Sequence, residues 1–141
     1  MYKNKMYLKF TALSENESFA RLAVASFCSN VSLDIEEISD IKTAVSEAVT
    51  NSIVHGYDGR EGEIEIECGI FDDYIAIEVI DHGLGIEDID EAMKPFFTTK
   101  PNSERSGMGF TVMEGFMDKL EVISKKDEGT RVKLIKNIIN K

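Results

Sequence analysis

The sequence predicts an α+β chain: a two-layer α/β sandwich with helices on one face of a mixed, mostly antiparallel sheet. Three observations lead there. An apolar stripe recurs at three- and four-residue steps from Ile38 to Ile53, the mark of a long amphipathic helix. Two segments, EIEIE from Glu63 and YIAIEVID from Tyr74, follow the alternating period of half-buried strands. The elements run strand, helix, helix, strand, strand, long loop, helix, strand, strand. A doubly wound parallel fold would alternate strands and helices more regularly. The length of 141 residues fits a single domain spanning 1–141.

Residues 7–13 alternate weakly and predict a first strand. Ser14-Glu15-Asn16-Glu17 has the S-x-x-E form of a capping box, so a helix is expected to start there and end near Asn30. Arg21 falls off its apolar stripe and reads as outward-pointing, the usual place of a solubilising or surface-paired arginine. Asp34 opens the second helix, and Gly56 is expected to cap its end. YDGREG at 57–62 is a turn. The two alternating segments then pair as a hairpin across Asp72-Asp73.

The pattern breaks for 25 residues, 82–106, a stretch that contains both prolines and a short helical pattern at 88–93. A loop this long in a compact domain is usually a lid or binding loop. Residues 107–118 predict a third helix opened by glycines. Residues 119–125 and 129–138 predict a last hairpin around Asp127-Glu128-Gly129.

The formal net charge of −10 argues against a nucleic-acid binder and against anionic membrane surfaces. It favours basic or mixed-charge protein partners. No apolar run approaches the length of a membrane span, and MYKNKMYLKF lacks the apolar core of a signal peptide. Cys28 and Cys68 read as small buried hydrophobes of a reducing, cytoplasmic compartment. No Cys/His spacing suggests zinc.

Several residue groups point to chemistry. Glu47, Asn51 and His55 follow one another at four-residue steps and so line up on one helix face beside the apolar stripe. Asn is a poor choice for a helix interior, which singles out Asn51. A plain solvated helix edge would look the same in isolation. Asp81 ends a strand and is followed by Gly83 and Gly85. A carboxylate there can accept from an exocyclic amine while the glycines admit a flat ring; a simple turn selects the same residues. Ser106-Gly107-Met108-Gly109 opens a helix, where free backbone N–H groups and the helix dipole favour a phosphate; a glycine hinge is the alternative. The spacing matches neither the Rossmann nor the P-loop pattern. Asn51 offers an oxygen to a hard cation such as magnesium, and Glu47 a base for an attacking hydroxyl.

Taken in this order, EAVTNSIVHG, DHGLGI and ERSGMGF resemble the N box and the two glycine boxes of the Bergerat-type (GHKL) ATP-binding fold of gyrase, Hsp90, MutL and histidine kinases. With FTTKP, SEAVTN and NESFAR, the chain resembles more narrowly the anti-sigma F factor family, stage II sporulation protein AB, over nearly its whole length. That resemblance implies a dimeric, cytoplasmic serine/threonine-protein kinase that takes ATP and Mg2+. It implies inhibition of the sporulation sigma factor F and phosphorylation of an anti-anti-sigma factor on a serine. By resemblance Glu47 is the general base and Asn51 a magnesium ligand. Asp81, Gly83, Gly85, Thr98, Ser106, Gly107, Gly109 and Thr130 contact nucleotide, and a lid covers it at about 82–106. Arg21 matches the family's partner-contacting arginine, and Arg105 is assigned to partners or phosphate. The departures fall in YDGREG and at the C-terminus, outside the motifs. The competing reading is a nucleotide-gated binding module without turnover, which has no need of a base beside Asn51. A histidine-kinase catalytic fragment is disfavoured because neither His55 nor His82 sits on a two-helix dimerisation hairpin.

Overall fold

The computed structural model describes residues 2–93 and 109–138, apart from the side chain of Asp90. Five strands form one sheet in the order β1-β2-β3-β5-β4: β1 Asn4–Thr11, β2 Glu63–Ile70, β3 Tyr74–Asp81, β4 Lys119–Lys125 and β5 Gly129–Asn137. Helices α1 (Glu17–Cys28), α2 (Ile35–Asn51) and α4 (Gly109–Phe116) accompany it, with a single turn, α3, at Ile89–Ala92. The two-layer arrangement matches the expected fold class.

The sheet is not mixed: all four ladders are antiparallel. The connections explain this. Two successive helices, α1 and α2, lie between β1 and β2, so the chain reverses three times, at β1–α1, α1–α2 and α2–β2, and those strands meet antiparallel. β4 points the same way as β3, since both pair antiparallel with β5, but the two are not neighbours. β4 instead takes the edge and β5 fits between them.

Alternation decides which face each strand buries. Ile64, Ile66, Ile75, Ile77 and Leu134 are fully buried against the helices, while Glu63, Glu65, Glu67 and Arg131 stand on the other face. From α1 and α2, Val24, Ile41, Val45 and Val49 close the core with no exposed surface. Each such side chain contributes about 1.5–3 kcal/mol through burial. Cys28 and Cys68 are free and buried in this core; burial pushes the Cys28 thiol up to about 12 and the Cys68 thiol up as well.

Three local expectations need correction. The first strand begins at Asn4 and ends at Thr11, because its pairing with β2 runs from Asn4↔Ile70 to Thr11↔Glu63. The capping box at Ser14 does not form: Ser14–Asn16 makes a 3₁₀ turn, and the Asn16 amide instead donates to the Thr11 carbonyl at 2.9 Å. The box forms at α2, where Asp34 accepts from Glu37 N at 2.8 Å and Glu37 Oε1 accepts from Asp34 N at 3.1 Å. The second helix does not stop at Gly56. It widens into a π-type turn over Ser52–Tyr57 and ends at Asp58, whose φ of 50° is left-handed. Among the described residues no helix is long and apolar enough to cross a membrane.

Candidate functional site

A cavity of about 470 Å³ opens where the end of α2, the end of β3, the β4–β5 turn and the start of α4 converge. Asn51 and His55 line it from the helix, Asp81 from the end of β3, Gly85 from the segment just after that strand, Gly109 from α4 and Thr130 from β5. Six of the residues read from sequence as one set are thus brought to one space from four separate stretches, while Gly83 is not in its lining.

Asp81 is the most constrained of them. It is only 4% exposed. Gly83 N donates to its Oδ1 at 3.0 Å, and the Ser52 hydroxyl and the Thr130 backbone N–H lie close by and favour its charged form. Burial raises its carboxyl above the ordinary range, and these three groups work in the opposite direction. Gly56 sits directly against it: a Cβ there would lie 2.9 Å from Oδ2. That is the reason for glycine at position 56, rather than helix capping.

The first glycine box is held by backbone contacts. A Cβ on Gly83 would fall 2.1 Å from the Gly56 carbonyl oxygen, which itself accepts from Leu84 N at 2.7 Å. Gly85 has φ of 73° and backs onto the Lys125 carbonyl. From the β4–β5 turn, Asp127 N donates to Leu84 O at 2.6 Å and Lys126 pairs with Glu87 at 3.0 Å. The stem that leaves β3 therefore lies clamped on that hairpin turn. Asp127 and Gly129 both take positive φ to make the turn.

At the other end the contacts come from side chains. Gly109 faces Asn51, and a Cβ there would lie 2.8 Å from Asn51 Nδ2. Glu47 is half-buried one turn earlier on α2 and is not among the cavity-lining residues. The even four-residue stack expected of Glu47, Asn51 and His55 is broken because the π-type turn begins immediately after Asn51. Arg21 lies outside the cavity on α1. It is half-buried rather than fully outward, 3.4 Å from Glu17 and within 3.3 Å of the Ser18 hydroxyl. Thr98, Arg105, Ser106 and Gly107 lie outside the described residues.

Sequence reasoning missed Ser52, Gly56 in its true role, Ser124 and the contacts that the predicted Asp127 turn makes with Leu84 and Glu87. Ser52 adjoins Asn51, so its place in the motif was a usable signal. The others depend on contacts between distant segments that no local pattern carries.

The fold and this cavity define a nucleotide-binding ATPase-type domain: the histidine kinase-like ATPase domain model matches residues 10–136. Anti-sigma F factors of two Clostridium botulinum strains, Eklund 17B and Alaska E43, are each 58% identical to the chain over 137 residues, covering 96% of both sequences. That of Clostridium kluyveri strain ATCC 8527 is 54% identical, over 99% of this chain and 98% of its own. The chain belongs to the anti-sigma F factor family. Solved structures agree on the fold. The RsbU and RsbW domains of a Mycobacterium tuberculosis protein superpose with TM-score 0.68 at 18% identity, covering 95% of this chain and 32% of that one. The mycobacterial sensor histidine kinase MprB gives TM-score 0.60 at 16% identity, covering 94% of this chain and 97% of that one.

Proposed function

We propose that this chain is an ATP- and Mg2+-dependent protein serine kinase that also holds the sporulation sigma factor F inactive and phosphorylates an anti-anti-sigma factor on a serine. The observation that carries the nucleotide reading is the cavity itself. A buried carboxylate, Asp81, and a helix carboxamide, Asn51, line the same space, and glycines clear the backbone between them. The residues fit the nucleotide they would hold. Asp81 supplies an acceptor for the amine of a purine, and Gly83 and Gly85 admit the flat ring. Thr130 supplies a hydroxyl beside Asp81. Asn51 would bind magnesium through its oxygen, the ligand type this ion takes. Magnesium would offset phosphate charge in a chain whose net charge is −10.

Glu47 is the base that draws the proton from the substrate serine, since an unassisted hydroxyl is a weak nucleophile. Its half-buried place one turn before Asn51 supports that role. Thr98, Ser106, Gly107 and Gly109 contact the nucleotide, and a lid at about 82–106 closes the site within a single domain, 1–141. Arg21 and Arg105 serve the protein partners, the chain acts as a cytoplasmic homodimer, and its acidic charge suits a basic surface on the sigma factor. The place of Glu47 outside the cavity lining gives the second reading its footing: a nucleotide-gated binding module without turnover.

Gamma-labelled ATP with magnesium and a purified anti-anti-sigma protein separates the two. Label on a partner serine with the native chain is expected, with a loss of about 10²-fold or more in Glu47→Gln while ATP binding stays near normal. Normal turnover in Glu47→Gln would remove Glu47 as the base. Bound ATP with no label from the native chain would leave the binding module.

A further inference from the structure

We propose that Ser124, outside the cavity lining, fixes the direction of the Thr130 hydroxyl and thereby makes the base end of the cavity select a ring bearing an exocyclic amine over its oxo counterpart. This rests on the nucleotide reading above. A serine hydroxyl has one hydrogen to donate and two lone pairs to accept with. Ser124 Oγ has three neighbours: Ile86 N at 2.7 Å, the Gly129 carbonyl oxygen at 3.0 Å and Thr130 Oγ1 at 2.7 Å. The Ile86 N–H can only donate, so it takes one lone pair. The Gly129 carbonyl can only accept, so it takes the one hydrogen. The remaining contact is satisfied only if Thr130 donates to Ser124. Thr130 then turns its hydrogen away from the cavity it lines and presents lone pairs to it.

Asp81 completes the pattern. It is the direct ladder partner of Thr130, and both lie on the face of the sheet turned to the helices. Side chains so paired stand about 5 Å apart at Cβ, close enough for one small group to meet both. A carboxylate has about four acceptor positions. Gly83 N takes one of them at 3.0 Å, which leaves acceptor capacity for a ligand. Two acceptors therefore face one space. An amine has two hydrogens and satisfies both. A carbonyl oxygen in its place would set acceptor against acceptor at a buried site, where unmet hydrogen bonds are costly. Ser124 acts through Thr130 and is a positioning residue.

The test compares ATP with inosine triphosphate, which carries an oxo group in place of the amine. Binding of each to the full chain with magnesium is measured by calorimetry, for the native protein, Ser124→Ala and Ser124→Thr. The native chain is expected to favour ATP by about a hundredfold. Ser124→Ala frees the Thr130 hydroxyl to donate, and the ratio should narrow by about tenfold. Ser124→Thr keeps the hydroxyl and should restore the ratio. In a Thr130→Val background, Ser124→Ala should leave the ratio where it stands, since its route is gone. If Ser124→Ala weakens both ligands equally, Ser124 merely braces the hairpin against Ile86 and the proposal falls. A native chain with no preference overturns it as well. A native chain that binds neither triphosphate overturns the nucleotide reading instead, and so is told apart.

Discussion

The two ends of the cavity are built from different materials. At the base end, backbone meets backbone: Gly83 lies against the Gly56 carbonyl, Gly85 against that of Lys125, and Gly129 against Asp81 O. Asp81 is buried there, with Gly83 N donating to it. At the Asn51 end, a helix side chain meets a glycine, and Glu47 and Asn51 are both half-exposed. Backbone cannot yield without moving whole elements, whereas an amide side chain can change rotamer. The first end is suited to recognising a rigid flat ring. The second is suited to a group that shifts during a reaction, such as a phosphate chain with its metal.

The same substitution at each end exposes that difference. In Gly83→Ala the new methyl would lie 2.1 Å from the Gly56 oxygen and 2.4 Å from its carbon. Overpacking of this kind costs about 1–3 kcal/mol, so nucleotide affinity is expected to drop on the order of a hundredfold, with a lower melting temperature. In Gly109→Ala the methyl meets only the tip of Asn51, which can swing aside, and the loss should be no more than about tenfold. Calorimetry and thermal melts on both variants check this. Equal losses would mean that the two ends are equally rigid.

Asn51→Ala sharpens the contrast from the other side. It removes the carboxamide without touching the backbone, so affinity for magnesium-ATP should fall by roughly tenfold while adenosine binds as before. Titration of both ligands reads it. A parallel loss of adenosine affinity would place Asn51 at the base end, and unchanged affinity for magnesium-ATP would end its role as a metal ligand.

The sequence made the two ends legible to different degrees. The helical end rests on local signals: the helix start at Asp34 and the apolar stripe lie within one continuous segment and both are realised. What local reading missed there was the widened turn after Asn51, because four-residue spacing assumes a regular helix throughout. The base end was legible in its motif residues, Asp81, Gly83 and Gly85, but not in what surrounds them. The clamp between Leu84 and Asp127 joins segments more than forty residues apart, and Ser124 looks in the sequence like any alternate residue of an edge strand. At Ser14 the S-x-x-E pattern is present in the sequence, but a 3₁₀ turn forms there and the helix starts after Asn16, whose side-chain amide donates to the Thr11 carbonyl at the end of β1. Thr98, Arg105, Ser106 and Gly107, legible as motif members, lie outside the described residues.

The smallest expected effect concerns Asp81 and pH. Burial raises its carboxyl above the ordinary 3.8, and the Gly83, Ser52 and Thr130 donors, with His82 nearby, offset that in part. Asp81 in the folded chain therefore holds a proton at a pH where a free aspartate has lost it. A ligand amine needs the deprotonated form, so acidification should weaken binding from a pH above the usual carboxylate range downward. The sign is fixed: affinity is full above the raised folded value and is lost as pH falls through it, by at most about tenfold per pH unit. Adenosine is the ligand to use, since it has no phosphate of its own to titrate. Its affinity, measured in steps from neutral to mildly acid buffer, should decline in the native chain, while magnesium tripolyphosphate, which reaches only the Asn51 end, should not show the same decline. A flat adenosine profile down to the ordinary carboxylate range would show that the donors around Asp81 outweigh its burial, and that the base end is held rigid without being made proton-sensitive.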